Sequence, residues 1–194
     1  STCPCAWSLP PCIKNRCPVP DLAAISTTAS RIQHRFLSPG DLLVVTTPSE
    51  ITTILGPCVS VTFWCAHSHV GAICHAMLPS ENMGFDSSTG GHPWKYVTAV
   101  IPEMWRCFLR KGGIAADIEV KLFGGADLLR NAKDPSATRI GPQNVELAQQ
   151  LLAEHGLRIL AADVGGRKGR KLIFNTQTGD VRIKRLPNFT SSNA

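Results

Sequence analysis

The fold is indicated first by an eleven-residue stretch, ITTILGPCVSV, at residues 51–61. Ile51 to Leu55 is a run rich in β-branched residues, Gly56-Pro57 is a turn signal, and from Val59 onward apolar and polar residues alternate. The stretch therefore predicts two strands joined by a turn, with Cys58 directly after the turn. A turn between strands exposes a side chain at the margin of a sheet, where a substrate can reach it.

Strand patterns recur on both sides of this stretch, and helical spacing occurs twice. One helix is predicted from Trp94 to Phe108, where Pro102 predicts a kink or an interruption, and the other from Gly141 to His155. Many strands with two helices predict an α+β domain. The further strands are predicted at residues 42–46, 70–78, 118–123, 157–164, 170–175 and 180–186, the last two as a hairpin.

The N-terminal part of the chain differs in composition from the rest. Residues 1–33 form a Pro- and Cys-rich segment with weak periodicity, so we predict that they are disordered and dispensable for folding. Residues 34–190 are predicted to form one domain, with ordered structure beginning near Pro39-Gly40. No apolar run approaches the roughly 18 residues of a membrane span, and prolines interrupt the only region where a secretory signal would lie. We therefore expect a cytoplasmic protein with no membrane span.

The net charge of +6 is concentrated near the C-terminus. Such a basic stripe either attracts an acidic partner or is a solvated face on two edge strands, and both interpretations remain open. Phe174 is the only aromatic residue among the basic ones, and this scarcity argues against binding to single-stranded nucleic acid. The stripe consists of Arg167, Lys168, Arg170, Lys171, Arg182, Lys184 and Arg185, with Asp180 as its only acid.

The eight cysteines fall into two groups. The first group lies within the first 17 residues at spacings unlike the paired C-x2-C of common zinc sites. Without a secretory signal a disulfide framework is not expected, so we predict neither disulfides nor a metal there. The second group, Cys58, Cys65, Cys74 and Cys107, lies in apolar segments, and all but Cys58 are predicted to be in the core.

Cys58 and His75 are candidates for a nucleophile and its base. His75 lies 17 residues after Cys58 in an apolar strand-like segment, where an unpaired imidazole would be costly to bury. A nucleophilic cysteine needs such a base nearby. From the residues alone other interpretations stay open, because each side chain could be a plain core residue. A metal site is a third interpretation, since Cys65, His67, His69, Cys74 and His75 lie within eleven residues, but they lack a second pair at zinc spacing.

Five sequence blocks resemble one known family. In order along the chain, and with the interval of 17 residues between Cys58 and His75, they are similar to CheD, the chemoreceptor glutamine deamidase family. The resemblance covers about residues 34–186, and residues 1–33 have no counterpart in it. The blocks are ITTILGPCVSV (51–61), GAICHAMLP (71–79), KLFGGADLL (121–129), IGPQNVELAQQLL (140–152) and ADVGGRKGRKLIFNTQTGDV (162–181).

The resemblance implies a fold and a site. The fold would be a mixed β-sandwich with flanking helices, similar to other cysteine-dependent protein deamidases. The site would use Cys58 as nucleophile, His75 as general base and Thr52 as the group that orients the imidazole. Thr53 is the alternative to Thr52, and strand alternation lets only one of them serve. Pro57 stands where the family usually has serine, and proline has no N–H to donate to an oxyanion.

The activity implied is hydrolysis of a carboxamide. A Cys58 thiolate, paired with His75 at neutral pH, would attack a glutamine side chain of a methyl-accepting chemotaxis receptor and convert it to glutamate through a thioester, with no metal or organic cofactor. The resemblance also makes a CheC-type phosphatase a candidate partner. The alternative is a non-catalytic chemotaxis adaptor that keeps the fold to bind receptors or the phosphatase, and Pro57 is the feature that favours it.

Overall fold

The computed structural model describes residues 31–81, 92, 94–127 and 139–187. Residues 1–30, and with them most of the segment predicted to be disordered, lie outside the described residues. Ordered structure begins earlier than Pro39-Gly40, because Gln33–Phe36 forms a strand. All four residues of this strand are exposed, so it shows no apolar alternation by which the sequence could reveal it.

The described residues contain two helices and nine strands, numbered here in chain order. The helices are α1 (Val97–Arg110) and α2 (Ile140–Glu154). Helix α1 continues through Pro102, so the predicted interruption is wrong. The buried residues of the helix, which include Val100, Met104 and Phe108, lie both before and after the proline. The strands are β1 (Gln33–Phe36), β2 (Leu42–Val45), β3 (Ser49–Leu55), β4 (Val59–Cys65), β5 (Val70–Cys74), β6 (Ile118–Gly124), β7 (Ile159–Val164), β8 (Arg170–Asn175) and β9 (Val181–Arg185).

The strands form two mixed sheets. The four-stranded sheet has the order β1-β3-β8-β9, and the five-stranded sheet has the order β2-β5-β4-β6-β7. The β1–β3 and β6–β7 pairs are parallel and the other pairs are antiparallel. Helix α1 packs on β2 and β5, and α2 packs on β4 and β7, so both helices cover the five-stranded sheet. The predicted α+β sandwich with helices outside is confirmed.

Two hydrophobic cores join these three layers. One lies between the helices and the five-stranded sheet and contains the fully buried Phe63, Met104 and Leu152. The other lies between the two sheets and includes Ile51 and Phe174. Full burial of such a side chain contributes about 1.5–3 kcal/mol. The predicted core cysteines Cys65, Cys74 and Cys107 are also buried.

Strand β4 is covered on both faces, and its alternation decides what each face carries. Val59, Val61 and Phe63 belong to the core under the helices. The residues between them, together with Cys58 just before the strand, face the four-stranded sheet. The polar side chains of this central strand are therefore directed into the space between the sheets.

The basic residues near the C-terminus do not form one solvated stripe. Arg170 is fully buried and is paired with the carboxylate and carbonyl of Asp163 and with the Gly165 carbonyl. Arg185 joins the same carboxylate at 2.8 Å, and Arg182 pairs with Glu50 at 2.6 Å. Part of the basic cluster is therefore engaged in ion pairs with acidic residues of β3 and β7. No helix among the described residues is long and apolar enough to span a membrane.

Gly124 lies against the turn that carries Cys58, and its replacement tests that contact. Its φ is +106°, and a Cβ atom there would lie 2.2 Å from the Cys58 carbonyl oxygen. Gly112 has a φ of +90° with no atom within 4 Å of the equivalent position. We expect Gly112→Ala to cost about 1–2 kcal/mol of unfolding free energy and Gly124→Ala at least about 3 kcal/mol. Urea denaturation measures both, and equal losses would contradict the close contact.

Candidate active site

The turn that carries Cys58 is held by all three of its carbonyl groups. The Gly56 carbonyl accepts a hydrogen bond from Ala126 N–H (2.9 Å), and the Cys58 carbonyl accepts one from Gly125 N–H (2.8 Å). The carbonyl of Pro57, between them, accepts one from a side-chain amide on α2 (3.0 Å). All three carbonyls of the turn are therefore engaged, and the N–H groups of Cys58 and Gly56 interact with the thiol.

Two backbone N–H groups of this turn act on the Cys58 sulfur. Burial raises the pKa of the Cys58 thiol to about 11, and hydrogen bonds from the N–H groups of Cys58 and Gly56 partly offset that rise. Pro57 contributes no N–H, but Gly56 provides the second donor. Both N–H groups favour the charged form of the thiol, because a hydrogen bond donated to sulfur stabilises a thiolate.

His75 is buried where β5 gives way to irregular chain. Its N–H donates to the Asp41 carbonyl (3.0 Å) and its carbonyl accepts from Gly40 N–H (2.8 Å), so its backbone is fixed on the β2 side. Only 1% of its surface is exposed. Burial lowers the pKa of His75 to about 4, against opposing contributions from the Leu37 carbonyl and the Asp41 charge. The imidazole is therefore neutral at pH 7.

A hydrogen-bond chain fixes the tautomer of His75. The Thr53 hydroxyl donates to the Leu37 carbonyl (2.8 Å), which uses its only hydrogen. Thr53 Oγ1 also lies 2.8 Å from His75 Nδ1, so this contact requires Nδ1 to carry the proton and to donate to the threonine oxygen. The Nε2 atom is then an unprotonated acceptor, and it is buried with no hydrogen bond to the described residues.

Thr53, and not Thr52, contacts the imidazole. The burial of β3 alternates, so Thr53 is fully buried on the face that carries Ile51 and Leu55, while Thr52 lies on the other face. Thr52 takes part only through its carbonyl, which accepts from Leu37 N–H (2.9 Å). The orienting contact predicted for Thr52 is therefore corrected to Thr53.

The register of the strands brings Cys58 and His75 near each other. Val59 and Ala76 face each other across the pairing with two hydrogen bonds of 2.9 Å, so Cys58 and His75 are diagonal neighbours on the face between the sheets. Diagonal neighbours lie about 7–8 Å apart with their Cβ atoms somewhat closer, a separation that an imidazole ring can partly span. With pKa values of about 11 for Cys58 and about 4 for His75, both groups are neutral at pH 7, which differs from the predicted thiolate paired with the imidazole.

The structure places the candidate metal ligands of this segment in different surroundings. His67 and His69 lie in the exposed β4–β5 turn, while Cys65 and Cys74 are buried in β4 and β5. Among the described residues, no group of three or more His, Cys, Asp or Glu could hold a metal ion. Sequence reasoning missed the Leu37 carbonyl, for which no local signal exists because any residue could supply it.

The family profile described as CheD chemotactic sensory transduction matches residues 77–185. That range is more than half of the chain. It includes Gly125, Ala126 and helix α2, which donate the hydrogen bonds that hold the turn carrying Cys58. The chain belongs to the CheD family.

Several CheD relatives match most of the chain. A protein of Geobacter sulfurreducens named probable chemoreceptor glutamine deamidase CheD 2 is 42% identical over 156 residues, 80% of this chain and 92% of that protein. Probable chemoreceptor glutamine deamidases CheD of Maridesulfovibrio salexigens and Thermococcus kodakarensis are 38% and 33% identical; the matches span 81% and 77% of this chain and 94% and 91% of those proteins.

Among solved structures, the crystal structure of the Bacillus licheniformis hypothetical protein YfiH is similar to this chain with a TM-score of 0.43 and 16% sequence identity. The match covers 72% of this chain and 61% of that one. A likeness at this level does not bear on the chemistry of the CheD site.

The raised pKa of Cys58 predicts how this CheD-family protein reacts with iodoacetamide. Because the thiolate is the reactive form, the rate at Cys58 should rise about tenfold per pH unit between pH 7 and 10, with no plateau near neutrality. Cys65 is an internal control. Burial raises the pKa of its thiol, but hydrogen bonds from Ser68 and neighbouring backbone groups outweigh this and lower the pKa overall. Because Cys65 is fully buried, it should nevertheless stay unlabelled. Peptide-resolved mass spectrometry measures both. A neutral-pH plateau at Cys58 would indicate a thiolate–imidazolium pair instead.

Proposed function

We propose that the chain is a chemoreceptor glutamine deamidase that uses Cys58 as nucleophile and His75 as general base. The names of its relatives support the reaction class and the substrate. The observation that carries the residue assignment is the tautomer of His75, because Nδ1–H donates to Thr53 Oγ1 and the lone pair of Nε2 is left on the face that also carries Cys58. A neutral imidazole with a free Nε2 is what a general base requires.

The first half of the reaction starts from a neutral thiol and a neutral imidazole. As the Cys58 sulfur attacks the carboxamide carbon of a glutamine, His75 Nε2 takes the thiol proton. The carbonyl oxygen gains negative charge, and the proposed donors to it are the N–H groups of Cys58 and Gly56, which also lower the pKa of the thiol. His75 then returns the proton to the departing nitrogen, the carbon–nitrogen bond breaks, ammonia leaves, and a thioester between Cys58 and the receptor remains.

The second half hydrolyses the thioester. A water attacks the thioester carbon while His75 Nε2 takes one of its protons. The carbon–sulfur bond then breaks, the sulfur leaves with the proton returned by His75, and the glutamine has become glutamate. The neutral resting state is regenerated. Each half of the reaction needs a neutral His75 at its start, which the low pKa of His75 secures at pH 7.

Thr53 serves as a positioning residue in this mechanism. By accepting a hydrogen bond from Nδ1–H it holds the ring angle and favours the tautomer in which Nε2 is unprotonated. The adaptor alternative rested on the missing N–H of Pro57, and the N–H of Gly56 supplies a donor in its place. A CheC-type phosphatase as partner stays a prediction that rests on the family resemblance.

The proposed activity is tested by incubating the protein with a cytoplasmic fragment of a chemoreceptor. Each deamidated glutamine gains about one dalton, which peptide mass spectrometry detects, and Cys58→Ala should abolish the gain because no thioester can form. The same variant should still bind the receptor fragment, since only a partly buried side chain is removed. Deamidation by Cys58→Ala at the wild-type rate would refute the assignment.

The two threonines provide a matched pair for the positioning role. Thr53→Val removes the hydroxyl with little change of shape, so the single-turnover rate should fall by roughly ten- to a thousand-fold, about 1.4 to 4 kcal/mol of barrier. Thr52→Val makes the same change on the outer face and should alter the rate less than about twofold. Both are compared at temperatures where each is fully folded. Equal rates would remove Thr53 from the mechanism.

A further inference from the structure

Asn144 on α2 reaches between the two segments that carry the proposed catalytic pair. Its side chain is fully buried, and its Nδ2 donates to the carbonyl of Pro57 (3.0 Å) and to the carbonyl of Met77 (3.0 Å). Pro57 immediately precedes Cys58, and Met77 follows His75 by two residues. One amide group therefore ties the cysteine turn to the chain that leaves the histidine.

The backbone ladder stops at this point, which is why a side chain is needed. Beyond the Val59–Ala76 pair the next donor on the β4 side would be Pro57, which has no N–H. On the other side, the N–H groups of Met77 and Leu78 both turn to the Lys95 carbonyl (2.8 and 3.0 Å). Among the described residues, the carbonyls of Pro57 and Met77 thus have no backbone donor, and Asn144 donates to both.

The orientation of the Asn144 amide follows from its partners. Both are carbonyl oxygens, which only accept, so the NH₂ end must face them. The Oδ1 atom then points elsewhere, and it is buried with no hydrogen bond to the described residues. An unpaired buried oxygen costs stability, so an amide at this position is a poor choice if filling the core were its only role.

Holding the Pro57 carbonyl also fixes the direction of the Cys58 N–H. The two groups belong to one planar peptide unit, and the described residues contain no cis peptide, so the N–H points away from Asn144. That N–H is one of the two that act on the Cys58 sulfur. The same amide, through Met77, sets how far the chain after His75 stands from the cysteine turn.

From this geometry we infer that Asn144 is a positioning residue of the site, holding the Cys58 N–H and the spacing between the cysteine turn and the chain after His75. The inference rests on the function proposed above. The inference extends that function to a residue of α2 that acts through the Pro57–Cys58 peptide and not by contact with the thiol or the imidazole.

The sharpest test is Asn144→Asp, which keeps the shape and places an oxygen against two carbonyl oxygens. Gln143→Glu is the matched control, because it makes the same change of charge at an exposed position one residue earlier on α2. With a receptor fragment, Asn144→Asp should lower kcat at least about thirtyfold with KM unchanged within about twofold, while Gln143→Glu changes neither by more than about twofold. If Asn144→Asp does not fold, Asn144→Ala removes the same hydrogen bonds without charge and should lower kcat at least about tenfold.

A second readout does not depend on deamidation. With the Cys58 N–H released, the pH profile of Cys58 alkylation should move to higher pH, so that iodoacetamide labels folded Asn144→Ala at least about threefold more slowly than the wild type at pH 9. Labelling at the wild-type rate or faster, or a kcat within twofold of the wild type in a folded Asn144 variant, would overturn the inference. If the wild type itself shows no Cys58-dependent deamidation, the proposed function fails, and the alkylation comparison still decides the role of Asn144 in holding the cysteine turn.

Discussion

The hydrogen-bond chain from His75 through Thr53 to the Leu37 carbonyl is the interaction on which the site depends. It crosses the space between the two sheets, so it exists only when the sandwich is closed. It also satisfies an imidazole nitrogen that would otherwise be buried unpaired at a cost of a few kcal/mol. Closing the sandwich therefore sets the His75 tautomer that the proposed mechanism requires, so the site forms together with the fold.

The cysteine side of the site is organised differently. There the side chain is held through its backbone: the carbonyls of residues 56–58 are engaged by the loop after β6 and by α2, which leaves the N–H groups toward the sulfur. The same burial that makes this environment dry also raises the pKa of the Cys58 thiol and lowers that of His75. In the proposed mechanism the resting pair is therefore uncharged, and proton transfer accompanies attack on the substrate instead of preceding it.

Most of the fold could be predicted from local patterns. The strand–turn–strand stretch at residues 51–61, the α2 helix and the β8–β9 hairpin carry strong periodicity and turn signals, and the structure has them close to the predicted bounds. Strand β1 was missed because an exposed edge strand has no apolar alternation. The burial of Arg170 was missed because its partners, Asp163 and Gly165, become neighbours only when β7 and β8 are brought together.

For the site, the sequence by itself determined the residue types: a cysteine after a Gly-Pro turn, a histidine in an apolar segment, and two adjacent threonines of which alternation admits only one. It could not choose Thr53 over Thr52, because the period of a strand separates its two faces without saying which one is covered. That choice belongs to the packing of the four-stranded sheet on the five-stranded one. The same holds for the tautomer of His75, the pKa values of Cys58 and His75, and the two hydrogen bonds of Asn144. Each depends on groups that are distant in sequence and become neighbours only in the folded protein.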